Sequence, residues 1–263
     1  MNKDNLIQLA TGIHEEAYWA NTYWNLVLQH HNYLQEYSVE INLSPAFYQI
    51  IRRALLESLY MCLARIYDDS QQSLSIKRLL TECKASSSLF PSNDVFTLTN
   101  REGIPETFSF PLTYQVSNDE EWLFPKEVSE QKRICQELNL NYVDTRVNIT
   151  INQFFEIYSK KYATLSKSLR SLRELRNKRY AHNDCNYNFD YELLFQNAPL
   201  YSDDIEKLIH YALDFCGYVV AALSGKVLAS LPINVSDWYS TLELARIGIL
   251  HHDKHLDKLF LEK

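Results

Sequence analysis

Glycine is scarce in this chain: 5 residues among 263, against about 7% in average proteins. So few glycines cannot supply the positive-φ turns of a many-stranded sandwich or barrel, nor a glycine-rich phosphate loop. Cysteine is equally uninformative as a scaffold. The five are Cys62, Cys83, Cys135, Cys185 and Cys216, scattered, odd in number and without any CxxC spacing. Reduced, buried thiols are expected rather than disulfides or a zinc ribbon. No long hydrophobic run is present. The most apolar stretch, Leu208 to Leu223, is interrupted by His210 and Asp214 and is too short to span a bilayer. The N-terminal MNKDNLIQLATGIHEE has no apolar segment of signal-peptide type. A cytoplasmic protein with no membrane association is expected. GxSxG, HExxH, Walker and zinc-finger spacings are all missing. With 46% hydrophobic and 22% charged residues, the chain has ordinary globular usage and is not of disordered type.

What is present is helical periodicity. Leu6, Leu9, Ile13, Ala17, Ala20, Trp24, Val27, His31 and Leu34 recur at gaps of three or four and predict one helix over 3–37 with a core-facing stripe. Ser44-Pro45 predicts the start of a second, running to about Asp68, and a third follows over about 75–84. Four of the seven prolines, Pro91, Pro105, Pro111 and Pro125, crowd into a different middle segment. There Val95–Thr99 and Thr107–Val116, flanking a turn with Gly103, allow a small hairpin. A helix over about 125–138 returns to the pattern. Thr150-x-x-Gln153 is a capping box opening a helix over 150–181. Asp203-x-x-Glu206 opens one over 203–229, and Ser236 one over 237–261. The reading is all-α: a single antiparallel helical bundle over 1–263, with a proline-containing insertion at about 86–124.

The formal charge of −7 is misleading as an average. From Lys160 to Arg179 there are eight basic residues against one acid, Glu174: +7 on one segment, leaving −14 for the remainder. Any anion-binding function therefore concentrates here. At about 100° per residue, Leu165, Leu169 and Leu172 define a buried stripe, with Arg176 and Arg179 on its continuation. Guanidinium groups on an apolar stripe are costly unless they meet an anion or a wet interface. His182 would point about 120° away from Arg176 in an unbroken helix. Asn183-Asp184 is a turn signal, so the helix is expected to end near Ala181 and let His182 fold back. A guanidinium beside an imidazole suits phosphate chemistry, one group neutralising charge and the other moving protons. The plainer alternatives are a solvated basic face for Lys160, Lys161, Lys167 and Arg170, an ion pair of Arg176 with Glu57 or Asp68, and a dipole-favoured helix-end histidine at 182.

RNKRYAH, Arg176 to His182, resembles the signature of the HEPN superfamily of helical ribonucleases: an arginine, a polar residue, a short gap and a histidine. About one such arginine–histidine spacing per chain is expected by chance at this composition. A second, Arg246 to His251, has Ile247 where the polar residue belongs and reads as that accident. LARIYDDS (63–70), LSIKRLL (74–80) and LRELRNKRYAHND (172–184) further resemble the AbiU branch, associated with abortive phage infection, over most of 1–80 and 150–230. The resemblance implies a homodimer that pairs two Arg–His sets in one cleft, and metal-independent RNA cleavage by the ribose 2′-hydroxyl, which DNA lacks. It implies His182 as general acid or base, Arg176 as the group stabilising the charged phosphorane, and Asn177 as positioning the site. Arg173, Lys178, Arg179, Tyr180 and Asp184 would contact RNA. Asp184 stands where related toxins carry a modifiable tyrosine. RNA is the implied substrate, an antitoxin or other defence protein a partner, and no cofactor or metal is required. The alternative within the family is a catalytically inactive nucleotide- or protein-binding adaptor. His251 and His255 have metal-compatible spacing but no evident third ligand.

Overall fold

The computed structural model describes residues 1–70, 73–91, 94–99, 103, 105–110, 113–117, 122–139, 145–177, 199–232 and 234–261. The helical class is the one found. In chain order the helices are α1 (Lys3–Glu36), α2 (Ser38–Ile41), α3 (Pro45–Ile66), α4 (Ile76–Ala85), α5 (Pro125–Glu137), α6 (Ile151–Thr164), α7 (Ser166–Leu175), α8 (Ser202–Ser224) and α9 (Tyr239–Leu261). Between them lie four short strands: β1 (Asp94–Thr99), β2 (Pro105–Phe110), β3 (Thr113–Val116) and β4 (Thr145–Asn148).

Local chemistry accounts for most of these boundaries. Ser75 caps α4, its hydroxyl accepting the Arg78 N–H at 3.4 Å. Thr150 and Gln153 form the reciprocal capping box at the start of α6, with contacts of 2.8 and 3.2 Å that satisfy two otherwise orphaned N–H groups. Pro45 opens α3 as its first residue.

Four sequence expectations are corrected. The helix expected over 150–181 breaks at Leu165, where the Thr164 hydroxyl donates to the Lys161 carbonyl at 2.7 Å and the Leu165 N–H bonds three residues back to Tyr162. A side chain competing for a ladder carbonyl and a tightened turn together end one helix and start another. The helix expected over 203–229 begins at Ser202 and stops at Ser224, because Gly225 takes the left-handed conformation at φ 68° and its N–H closes on the Ala221 carbonyl. At its start, Asp204 rather than Glu206 reaches back, accepting the Tyr201 N–H at 3.2 Å. The last helix begins at Tyr239, three residues after Ser236, which lies in a turn. The expected strand Thr107–Val116 is two strands. β2 pairs antiparallel with β1, Asp94 opposite Phe110 and Thr99 opposite Pro105, while β3 pairs antiparallel with β4, Thr113 opposite Asn148. Pro111 falls at the division, and a proline cannot donate to a ladder.

The chain divides into two compact units. One comprises Met1–His14, Ile66–Arg170 and Leu200–Leu228. Its core includes Leu6, Ile13, Ile76, Leu79, Phe155 and Phe215, all fully or almost fully buried. Phe155 meets Phe90 edge-on at 5.0 Å, and the Tyr158 and Phe215 rings lie 5.0 Å apart. Buried hydroxyls are satisfied: Tyr67 donates to the Leu208 carbonyl at 2.6 Å and Tyr211 to the Tyr158 carbonyl at 2.8 Å. The other unit comprises Glu15–Arg65, Ser171–Pro199 and Ala229–Lys263. Tyr37, Ile41 and Leu242 form a cluster in it, packed against Tyr33, Tyr48 and Trp238. The Trp238 indole donates to Gln29 at 2.7 Å.

The stripe on α1 is buried from Leu6 through Val27, but His31 and Leu34 are exposed and His30 and Tyr37 are buried instead. The buried face shifts by one residue after Val27. An α-helix repeats every 3.6 residues, and the stripe's mixed gaps of three and four average slightly less, so it drifts off the face it started on.

Candidate functional site

α7 presents two unlike faces. Leu165 just before it and Ser168, Leu169, Ser171, Leu172 and Leu175 along it are buried, whereas Lys167, Arg170 and Arg173 are exposed. The apolar stripe read from sequence is therefore real and is extended by Leu175. Arg176, which the turn count places in the middle of the stripe's continuation, follows Leu175 and is half-buried.

Regular α-helix runs to Leu175, and the end expected near Ala181 lies outside the described residues. Arg176 and Asn177 continue in a wider π-type turn, a rare geometry that recurs at functional sites. There the Arg176 Nε–H donates to the Asn177 side-chain oxygen at 3.0 Å. The amide thereby fixes the plane of the guanidinium fork, which is the part that matches phosphate oxygens. Asn177 and Arg173 are exposed. His182, Lys178, Arg179, Tyr180 and Asp184 lie outside the described residues. So does the expected fold-back of His182 towards Arg176.

The flanking cations are anchored on aromatic rings. Lys160 Nζ lies 5.9 Å from the Trp122 ring centre and Lys161 Nζ 5.9 Å from that of Tyr158. Lys161 also bears on Asp214, whose carboxyl is pushed up by burial and drawn back by His210 and Lys161.

Sequence reading missed a polar pair supporting α7. The Ser168 hydroxyl donates to Asp204 Oδ1 at 2.7 Å, so one carboxylate both caps α8 and holds α7. Serines at 168 and 171 between the stripe leucines were its only sequence signal. Also missed was the surrounding of Arg65, within LARIYDDS. Arg65 pairs with Glu16 at 3.0 Å and donates to the Cys62 sulfur at 3.4 Å. Burial opposes the arginine's charge, but Cys62 and Glu16 outweigh it and raise its pKa. A pocket of 380 Å³ lies here, lined by Tyr23, Glu57, Met61, Cys62 and Arg65 among others.

Burial pushes the Cys62 thiol up to about 11 and the Cys83 thiol up to about 12. Cys62, Cys83, Cys135 and Cys216 are buried and free, and inert thiols result. Cys185 lies outside the described residues. Asp68 accepts the Ser70 N–H at 3.2 Å and Asp69 pairs with Lys77 at 3.3 Å, a helix-terminal turn. Among the described residues no cluster of three or more His, Cys, Asp or Glu side chains could hold a metal ion, and no helix is long and apolar enough to cross a membrane.

Fold and site together define a helical protein in which a half-buried arginine, oriented by Asn177, closes the described part of a segment of net positive charge. The model of the HEPN AbiU2 family matches residues 3–243. The chain belongs to that family, and the match runs through the β-strand segment that the sequence resemblance left uncovered. No curated protein and no solved structure matches it.

Proposed function

We propose that the protein is a metal-independent endoribonuclease of an abortive-infection defence system, acting as a homodimer with Arg176 and His182 as its catalytic pair. The observation that supports this best is Arg176 itself. It stands at the π-turned end of the cationic helix, half-buried, with Asn177 holding its Nε at 3.0 Å. Family membership over 3–243 adds the context in which an Arg-x5-His signature carries ribonuclease chemistry.

In this reading the RNA backbone is drawn to the +7 segment and repelled by the acidic remainder. Arg176 offers its fork to the scissile phosphate. His182 takes the proton of the ribose 2′-hydroxyl as that oxygen attacks phosphorus, or delivers a proton to the departing 5′-oxygen; its partner in the dimer supplies the complementary transfer. The oxygen–phosphorus bond to the 2′-oxygen forms as that to the 5′-oxygen breaks, leaving a cyclic phosphate. Charge accumulating on the phosphorane is met by the guanidinium. Arg173, Lys178, Arg179, Tyr180 and Asp184 line the approach of the RNA, and an antitoxin or other defence protein restrains the activity.

The test is cleavage of a mixed RNA pool with EDTA present, comparing the wild type with His182→Ala and Arg176→Ala. Cleavage by the wild type alone supports the reading. Equal cleavage by all three removes the assigned pair. Salt-sensitive RNA binding without cleavage assigns the protein to the catalytically inactive adaptors instead.

A further inference from the structure

One buried imidazole has no hydrogen-bond partner among the described residues. His30 on α1 is 7% exposed, and among the described residues neither of its ring nitrogens meets a hydrogen-bond partner. Native proteins rarely leave a buried polar side chain in this state, because the desolvation cost of each nitrogen goes uncompensated. Its charged neighbours do not resolve the matter: Arg52 and His31 reinforce the effect of burial and lower its pKa, which keeps the ring neutral, with one donor and one acceptor to offer.

His30 is also part of the wall of a pocket of 350 Å³ within the same unit. The other walls include Phe47, Tyr48, Ile51, Trp238 and Thr241, and no charged side chain is among the described lining residues. Three rings gather around this imidazole's side of the pocket. Trp238 lies nearly parallel to the His30 ring at 6.3 Å and Tyr48 is tilted at 6.1 Å, while Phe47 meets Tyr48 edge-on at 5.4 Å and is 57% exposed at the rim. The volume falls in the range of small-molecule sites, which combine apolar and aromatic walls with a few placed polar groups.

We propose that this pocket binds a small, planar, uncharged aromatic compound carrying one hydrogen-bonding group, with the ring held among Phe47, Tyr48 and Trp238 and the polar group satisfying His30. An aliphatic chain would fill the space but leave the imidazole orphaned. An ionised ligand would lose its hydration against walls that return no counter-charge. The ligand reaches the imidazole edge by a small displacement of the rings covering it. The site is separate in chemistry from the proposed RNA cleavage and does not depend on it.

The experiment uses the full chain and three matched probes: 2-naphthol, naphthalene and decahydro-2-naphthol, titrated by calorimetry or by naphthol fluorescence. Saturable binding of one 2-naphthol per chain is expected. Naphthalene, without the hydroxyl, should bind about tenfold more weakly, the worth of one hydrogen bond in a dry site; decahydro-2-naphthol, without the aromatic plane, should also bind more weakly. His30→Phe should reduce 2-naphthol to the affinity of naphthalene, and Ile51→Trp, which fills the pocket, should abolish both. Circular dichroism checks folding, and Thr241→Phe at an exposed lining position serves where Ile51→Trp does not fold. No saturable binding, equal affinity for naphthalene, equal or tighter binding of the saturated compound, or indifference to both His30→Phe and the filling variant would each overturn the proposal.

Discussion

Arg246 Nε lies 2.8 Å from Glu40 Oε1, a carboxylate in a residue only 6% exposed. The same guanidinium donates to the Glu36 carbonyl at 2.6 Å and stacks 4.1 Å above the Tyr37 ring. Tyr37 in turn donates to Glu243. Of the two arginines that precede a histidine at signature spacing, this one is committed to joining α9 to α1 and α2. Replacing it with alanine strands a buried carboxylate. Arg246→Ala is therefore expected to lower the unfolding midpoint while leaving any RNA cleavage rate unchanged. Arg176→Ala should do the reverse. Thermal unfolding and cleavage measured on the same two preparations check the contrast.

The Glu40 contribution has a definite pH dependence. The hydrogen bond from Arg246 holds its carboxyl below the ordinary 4.5, so the stabilisation is full above that value and is lost as pH falls through the lower folded-state pKa. The difference in midpoint between wild type and Arg246→Ala should be constant from neutral pH down to about 5 and shrink below 4.5. A series of denaturant titrations across this range measures it.

His30 should add a second loss of stability on acidification, in the histidine range. Burial depresses its pKa below the ordinary 6.5, with Arg52 and His31 adding to the effect. The unfolded chain then binds the extra proton first, so stability is full above 6.5 and declines as pH drops towards the folded-state value. His30→Phe removes both the titration and two orphaned nitrogens. It should stabilise the protein by about 1 kcal/mol at neutral pH, and by more below 6.5. Denaturant midpoints at pH 7.5 and 5.5 test the prediction.

Two boundary residues carry local costs. Thr150→Ala removes half of the capping box on α6 and should cost about 1 kcal/mol. Gly225→Ala forces a side chain into φ 68° and should cost about 1–2 kcal/mol. Each should leave ligand and RNA binding untouched, read from chemical denaturation beside a binding assay.

The fold was legible where one residue's chemistry decides a structure. Thr150 with Gln153 and Pro45 at the start of α3 each act through neighbours in sequence, and both are where they were expected. Legibility failed where distant packing or competing bonds decide. His31 gave way to His30 because a stripe read at gaps of three and four drifts off the buried face of a 3.6-residue helix over many turns. The break at Leu165 came from a Thr164 hydroxyl bonding its own helix, which no periodicity reveals. At the site, the placement of Arg176 on the apolar stripe followed from counting turns. The Asn177 contact depends on a π-type turn, and Ser168 with Asp204 on two helices far apart in sequence.

The most direct measurement of the central reading is the chemistry of the cut ends. An RNA oligonucleotide is incubated with the protein in EDTA, beside the same oligonucleotide with 2′-deoxyribose on the 5′ side of the mapped cut, and the products are resolved by mass. The account predicts a 2′,3′-cyclic phosphate and a 5′-hydroxyl from the first, no cut at the deoxy position in the second, and a loss of about 10²–10⁴-fold in rate for His182→Ala. A 5′-phosphate product, cutting at the deoxy position, or full activity in His182→Ala would contradict it.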